Sequence, residues 1–258
     1  MAAVEGRHWW YRTLHGLVLR AIRRHPRGRD LTLLDAGCGT GGLLQFLRNR
    51  GFRNVSGFDR SPEAVRLGRA RGLEIILHDL RLLGQWRPPR SVDVLTAQDS
   101  LYFLSPTDQA AFLEQVWQVL APGGWLILNL PAFPAFRGNH DRAVGIARRV
   151  TPADLPHLLP HARFECLERR WWPALLAPLI AGARLRQRRR LRRHPGLPPR
   201  SDLDLPWPPL NALCFGVTRL ETRLPPFLPW GSSLFLVGRR KDAPAGSAAG
   251  PDPAPASA

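Results

Sequence analysis

The chain has 258 residues, 44% of them hydrophobic, enough for one α/β domain with an elaboration or for two small domains. Its three cysteines (Cys38, Cys166, Cys214) are too scattered for a disulfide framework or a zinc site, and the polar, aromatic residues 1–12 make no secretory signal, so a reduced, cytoplasmic protein is expected. The net charge of +17 suits nucleic acid, an anionic membrane or an acidic substrate, yet Lys241 is the one lysine among 37 basic residues, and a chain this rich in Arg, Ala, Gly and Pro equally fits a GC-rich genome.

Along residues 5–24, Trp10, Leu14, Leu17, Val18, Ala21 and Ile22 recur at helical spacing, and His25-Pro26-Arg27-Gly28 ends the helix. Residues 31–37 form an apolar run that ends in glycine and reads as a buried parallel strand. A helix over 42–50 and a strand over 54–59 follow. Ser61-Pro62-Glu63 starts a helix, with serine as cap and proline at its first position. Strands are predicted at 73–79 and 91–99, then a helix from Ser105-Pro106 through Leu120, stopped by Ala121-Pro122-Gly123-Gly124. A fifth strand covers 125–131, Thr151-Pro152-Ala153-Asp154 opens a further helix, and 163–172 and 233–240 are the last strands. Alternating strands and helices predict a parallel sheet with helices on both faces.

The predicted organisation is an N-terminal lid helix (1–30), a core (31–172), a helical insert or cap (173–232), a final core strand (233–240) and a disordered tail (241–258). Around the insert's start, residues 171–183 are apolar but too short and too proline-broken to span a bilayer, which takes about 20 residues. Arginine dominates 184–193. A cap over a substrate pocket is expected, and the same composition suits peripheral contact with an anionic membrane.

Asp35-Ala36-Gly37-Cys38-Gly39-Thr40-Gly41 follows a strand and opens a helix, where glycines let the backbone approach a bulky ligand and free N–H groups point outward. Gly37-x-Gly39-x-x-Gly42 also fits the dinucleotide fingerprint, with Asp59 near its ribose position. Three features favour S-adenosylmethionine (SAM). Asp35 suits a methionine ammonium, whereas it would repel a pyrophosphate. His78-Asp79-Leu80 ends the third strand, where the carboxylate can accept from an adenine amino group beside an apolar contact. The third feature is the Pro122-Gly123-Gly124 turn before the fifth strand. Asp59, followed by Arg60, remains available to accept from both ribose hydroxyls.

These motifs, in this order, resemble the class I SAM-dependent methyltransferases over roughly residues 31–172 plus the last strand. The resemblance implies a Rossmann-like sheet of seven strands, mostly parallel, with an antiparallel last strand and the insert just before it. It implies cofactor contacts from Asp35, Gly37, Gly39, Gly41, Asp59, Arg60, His78, Asp79 and Leu80, with Gln98 and Asp99 after the fourth strand. Glu5-Gly6-Arg7-His8-Trp9-Trp10-Tyr11, the Pro131-Ala132-Phe133 run, Asn139-His140-Asp141, Pro209-Leu210-Asn211 and Gly231-Ser232-Ser233-Leu234 look like a bacterial subgroup that opens on an HWWF-like segment; its usual tyrosine is Val150 here, and a histidine common in relatives is Phe103.

Methyl transfer needs positioning first, and a general base only where the acceptor loses a proton. His140 with Asp141 is the expected base and orienter, because imidazole titrates near neutrality. The remaining histidines show no grouping for a metal. The expected acceptor is a small molecule or an amphiphilic envelope or lipid precursor. Nucleic acid is disfavoured because the fourth strand ends in Gln98-Asp99-Ser100-Leu101, without the Asn/Asp-Pro-Pro-Tyr/Phe motif of base-amino methylation. A non-catalytic SAM-binding protein and a nicotinamide-dependent oxidoreductase are the other readings.

Overall fold

The computed structural model describes residues 2–194, 204–226 and 228–242; the proline-rich segment 195–203 and the predicted disordered tail beyond Asp242 lie outside the described residues. The strands are β1 (Leu33–Ala36), β2 (Val55–Asp59), β3 (Ile75–Leu77), β4 (Val92–Gln98), β5 (Leu120–Pro131), β6 (Phe164–Trp172) and β7 (Ser233–Arg240). They form one seven-stranded sheet in the order β3-β2-β1-β4-β5-β7-β6. The first five strands are parallel, and β7 runs antiparallel to both β5 and β6. This is the expected mixed Rossmann-like sheet with its reversed last strand.

Between the strands lie the helices α1 (Ala2–Glu5), α2 (Trp9–Ile22), α3 (Gly42–Arg48), α4 (Pro62–Arg69), α5 (Leu83–Trp86), α6 (Pro106–Val119), α7 (Asn139–Val144), α8 (Leu155–Leu158), α9 (Ala177–Arg193) and α10 (Pro208–Arg223). Helices on both faces of the sheet explain the unbroken burial of β1 and of β4 up to Ala97. On one face Leu14, Leu17 and Val18 of α2 join Leu44 and Leu47 of α3; on the other Phe112, Leu113 and Val116 of α6 join Leu83 and Leu158. The predicted starts of α4 and α6 carry their caps, with Ser61 accepting from the Ala64 N–H and Ser105 from the Asp108 N–H.

Two predicted boundaries move. β5 begins at Leu120, not 125: the Pro-Gly-Gly turn runs inside the strand as an irregularity where pairing with β4 slips between Val92 and Val94. The helix predicted from Thr151 shortens to a 3-10 turn at Pro152–Asp154 and the four residues of α8, because Pro156 and Pro160 leave no room for more.

The insert supplies α9 and α10. α10 packs on the N-terminal helix α2 through Thr218, whose hydroxyl lies 2.7 Å from that of Thr13. Asn211 grips the segment before α2 from both sides, accepting from the Trp9 N–H at 2.8 Å and donating to the Arg7 carbonyl at 2.9 Å. Asn211 of the Pro-Leu-Asn segment therefore ties the insert to the N-terminal segment.

Candidate active site

At the carboxyl ends of β1 to β4, where open α/β sheets hold their ligands, lies a cavity of about 740 Å³. Its floor is the Gly37–Gly41 turn. Gly37, Gly39 and Gly41 all take left-handed backbone angles, and a Cβ on Gly37 would lie 2.5 Å from Cβ of Ser100. Gly37 and Gly39 line the cavity. Gly41 does not: it caps α3, and the space a Cβ would take is filled by Leu73 and Ile75, so its role is packing rather than the expected cofactor contact.

Register puts Asp35 opposite Thr96 of β4, and the Thr96 hydroxyl donates to its Oδ1 at 2.6 Å. The Asp35 carboxyl is almost wholly buried yet lines the cavity. Burial pushes its pKa up to about 7 against the pull of Thr96, and the charges of Asp59 and Glu5 push the same way. Asp59 is aimed by two backbone donors, Gly39 N–H to Oδ2 and Ser61 N–H to Oδ1, each at 2.8 Å. That leaves one acceptor site on each oxygen for a diol. Gln98 donates to the Ile127 carbonyl through its amide, while its buried Oε1 has no partner among the described residues.

The other expected residues are brought to the same cavity: Arg60, His78, Asp79, Leu80, Asp99 and His140 line it. Asp79 is partly engaged, accepting from the Arg81 N–H and pairing with its guanidinium at 3.0 Å, so only part of its acceptor capacity faces a ligand. The Arg60 guanidinium stands 5.3 Å over the Phe103 ring. Asp99 sits at φ 50°, an uncommon angle for aspartate, held by its N–H on the Asn129 carbonyl and by the Asn129 amide on Oδ2. Trp172 in turn donates to Asn129 Oδ1. Burial raises the Asp99 pKa to about 7, opposed by Asn129 and by the Arg149 charge.

Asp141 corrects the expectation of a base-and-orienter pair. It is buried and does not line the cavity. Its two oxygens accept from Nε and Nη2 of Arg149, and one also accepts from the Gly138 N–H at the start of α7. Burial works against this carboxylate, but the Arg149 guanidinium holds its pKa below the usual range. What Asp141 orients is Arg149, which lines the cavity and bonds the Ala132 and Ser232 carbonyls with Nη1.

Sequence reasoning missed Glu5 and Arg149. Glu5 sits in the cavity wall with its carboxylate on the Thr40 hydroxyl and against Gly42, and burial raises its pKa. The aromatic residues after it, His8 to Tyr11, line the same cavity. His8 caps α2 by accepting from the Trp10 N–H, Trp10 stacks on Trp172 at 5.5 Å, and Tyr11 reaches the cavity. Val150 packs against the core instead of lining the cavity, so no hydroxyl contact is lost there.

Residues 33–124 match a family model described as a methyltransferase domain. Over these residues the chain is similar to methyltransferase domains. It is 30% identical over 160 residues to a protein of Mycolicibacterium smegmatis named a probable S-adenosylmethionine-dependent methyltransferase, covering 61% of this chain and 60% of that protein. It is 31% identical over 153 residues to a trans-aconitate 2-methyltransferase of a Mycobacterium species (strain KMS), covering 58% of this chain and 56% of the relative. The chain thus spans less than two thirds of these relatives' lengths. A SAM-dependent methyltransferase of Archaeoglobus fulgidus shares the fold at TM-score 0.56 and 14% identity, covering 87% of this chain and 94% of that one. The [4+2]-cyclase SpnF does so at 0.56 and 19%, covering 88% and 80%.

SAM is the cofactor that the family implies, and the residues fit it. A glycine cradle that a Cβ would fill, a buried carboxylate at Asp35 lacking a cation, an aimed acceptor pair at Asp59 and the orphan Gln98 Oε1 all call for a ligand bearing positive charge and several donors. A pyrophosphate would meet Asp35, Asp59, Glu5 and Asp99 around one cavity.

Proposed function

We propose that the methyltransferase domain moves a methyl group from SAM to a small-molecule acceptor, amphiphilic in character and of the envelope- or lipid-precursor kind, by in-line displacement. The supporting observation is that the cavity holding these carboxylates is also lined by the apolar Phe136, Val144, Ile146 and Ile180, and by His140, Arg149 and Arg184. Bound SAM supplies an electrophilic methyl on a sulfonium. Asp35 and Gln98 are assigned to the methionine end, Asp59 to the ribose, and His78, Asp79 and Leu80 to the adenine. Asp99 and Tyr102 line the same cavity, where alignment of the acceptor decides the rate.

His140 is assigned as the base where the acceptor must lose a proton, and Arg149, fixed by Asp141, as a positive group facing an anionic part of the acceptor. The relatives named for trans-aconitate, a polycarboxylate, support a small acceptor with negative charge. The place of work is assigned to the cytoplasm. Incubation with methyl-labelled SAM and fractionated extracts of the source organism tests this reading. Label is expected in a low-molecular-weight acidic or amphiphilic product; label confined to RNA or protein would overturn it.

A further inference from the structure

α10 is amphipathic in the reverse sense. Its inward face is polar or small: Asn211, Cys214, Thr218 and Glu221 are turned to the protein, with Thr218 on α2 and Glu221 accepting from the Ala174 and Leu175 N–H groups ahead of α9. Its outward face carries Leu210, Leu213, Val217, Leu220 and Leu224, spaced three and four apart in one stripe. Leu213 is 63% exposed and Leu220 57%. The Glu221 bonds bring Leu175 and the start of α9, where Leu179 is also exposed, next to this stripe, and Trp230 joins them by donating to the Ala174 carbonyl.

The charge of the insert is mostly of one sign. Residues 173–232 hold ten arginines against three acids. On α10, Arg219 and Arg223 are exposed, while its single carboxylate, Glu221, is buried. Stripe spacing alone would suit a second copy of the chain, packed leucine to leucine. A second copy would bring arginines onto arginines with no exposed carboxylate on α10 to meet them. A nucleic acid would answer the arginines and leave the leucines unpartnered. An anionic bilayer answers both.

We propose that the outward face of α10, with the start of α9, docks the protein on an anionic lipid surface. Among the described residues no helix is long and apolar enough to cross a membrane, so the helix lies on the surface rather than spanning it. α9 and Pro206 also wall the cavity, so docking brings its acceptor side to the lipid boundary. The proposal stands on the surface and not on the methyl-transfer reading, although it deepens that reading if the acceptor is a lipid.

Flotation with phosphatidylcholine vesicles, with and without phosphatidylglycerol, tests it, with SAM binding measured on the same samples. Binding is expected only to the phosphatidylglycerol vesicles and weakens as salt is raised. The double variant Leu213→Glu, Leu220→Glu is expected to lower binding about tenfold or more while leaving SAM binding and the circular dichroism spectrum unchanged. No binding to anionic vesicles, or binding that the leucine variant leaves intact, overturns the proposal. So does a solution dimer that the same variant dissolves, which would make a second copy the occupant.

Discussion

A carboxyl with little solvation and no bonded cation is unstable in its ionised form; burial raises the pKa of Glu5, Asp35 and Asp99 in the cavity, the latter two to about 7. These two bind protons more tightly folded than unfolded, so their contribution to stability is full below the ordinary aspartate value of 3.8 and is lost as pH rises through about 7. Asp35→Asn should therefore leave the melting temperature of the ligand-free protein unchanged at pH 4 and raise it at pH 8, by about 2 kcal/mol or roughly 5 °C. The same variant should weaken SAM binding about a hundredfold, because the amide cannot answer the ammonium charge. An ammonium beside Asp35 also holds that carboxyl ionised. Between pH 5.5 and 7, SAM binding should release protons and tighten with pH, read by titration calorimetry in buffers of different ionisation enthalpy. Binding that is pH-independent across this window would remove Asp35 from the site. Gly37→Ala combines a disfavoured φ with a Cβ against Ser100, and should cost about 2–4 kcal/mol in a denaturant melt.

At the level of elements, the site is assembled by strand ends and closed by the N-terminal segment, which α10 holds through one amide. Asn211→Ala removes both bonds at this clamp. It should weaken SAM binding about fivefold with little change in global stability, and raise the protease sensitivity of residues 5–11. Strand ends were legible in the sequence because glycine turns and terminal aspartates sit at fixed offsets from apolar runs, which is why Asp35, Asp59 and Asp79 were found with the parallel sheet. Glu5 was not legible: its place depends on a short helix folding back over a turn more than thirty residues away. Asp141 beside His140 in sequence suggested a pair, but burial next to Arg149 decided its partner, and burial carries no local signature. The stripe on α10 is ambiguous for a related reason. Apolar periodicity announces a helix face that leaves water, and it cannot say whether protein or something else receives that face.

Across the whole molecule, a chain with a net charge of +17 concentrates carboxyls from Glu5, Asp35, Asp59, Asp79 and Asp99 around one cavity. Arg60, Arg81, Arg149 and Arg184 line the same cavity, while most of the basic residues lie elsewhere; the insert, Arg184 included, holds ten of the arginines. The carboxyls at the glycine turn weigh between the two ligands that this turn alone allows: Asp35 and Asp59 oppose an anionic dinucleotide and favour a cationic sulfonium with an ammonium. Phe103 does not alter this, because it brings no charge to the cavity. The direct measurement is equilibrium dialysis of the purified protein against SAM and, separately, against NAD(H) at pH 7.5. Saturable SAM binding that is lost in Asp35→Asn, with no retention of NAD(H), is the predicted result; tight NAD(H) binding without SAM binding would contradict the account.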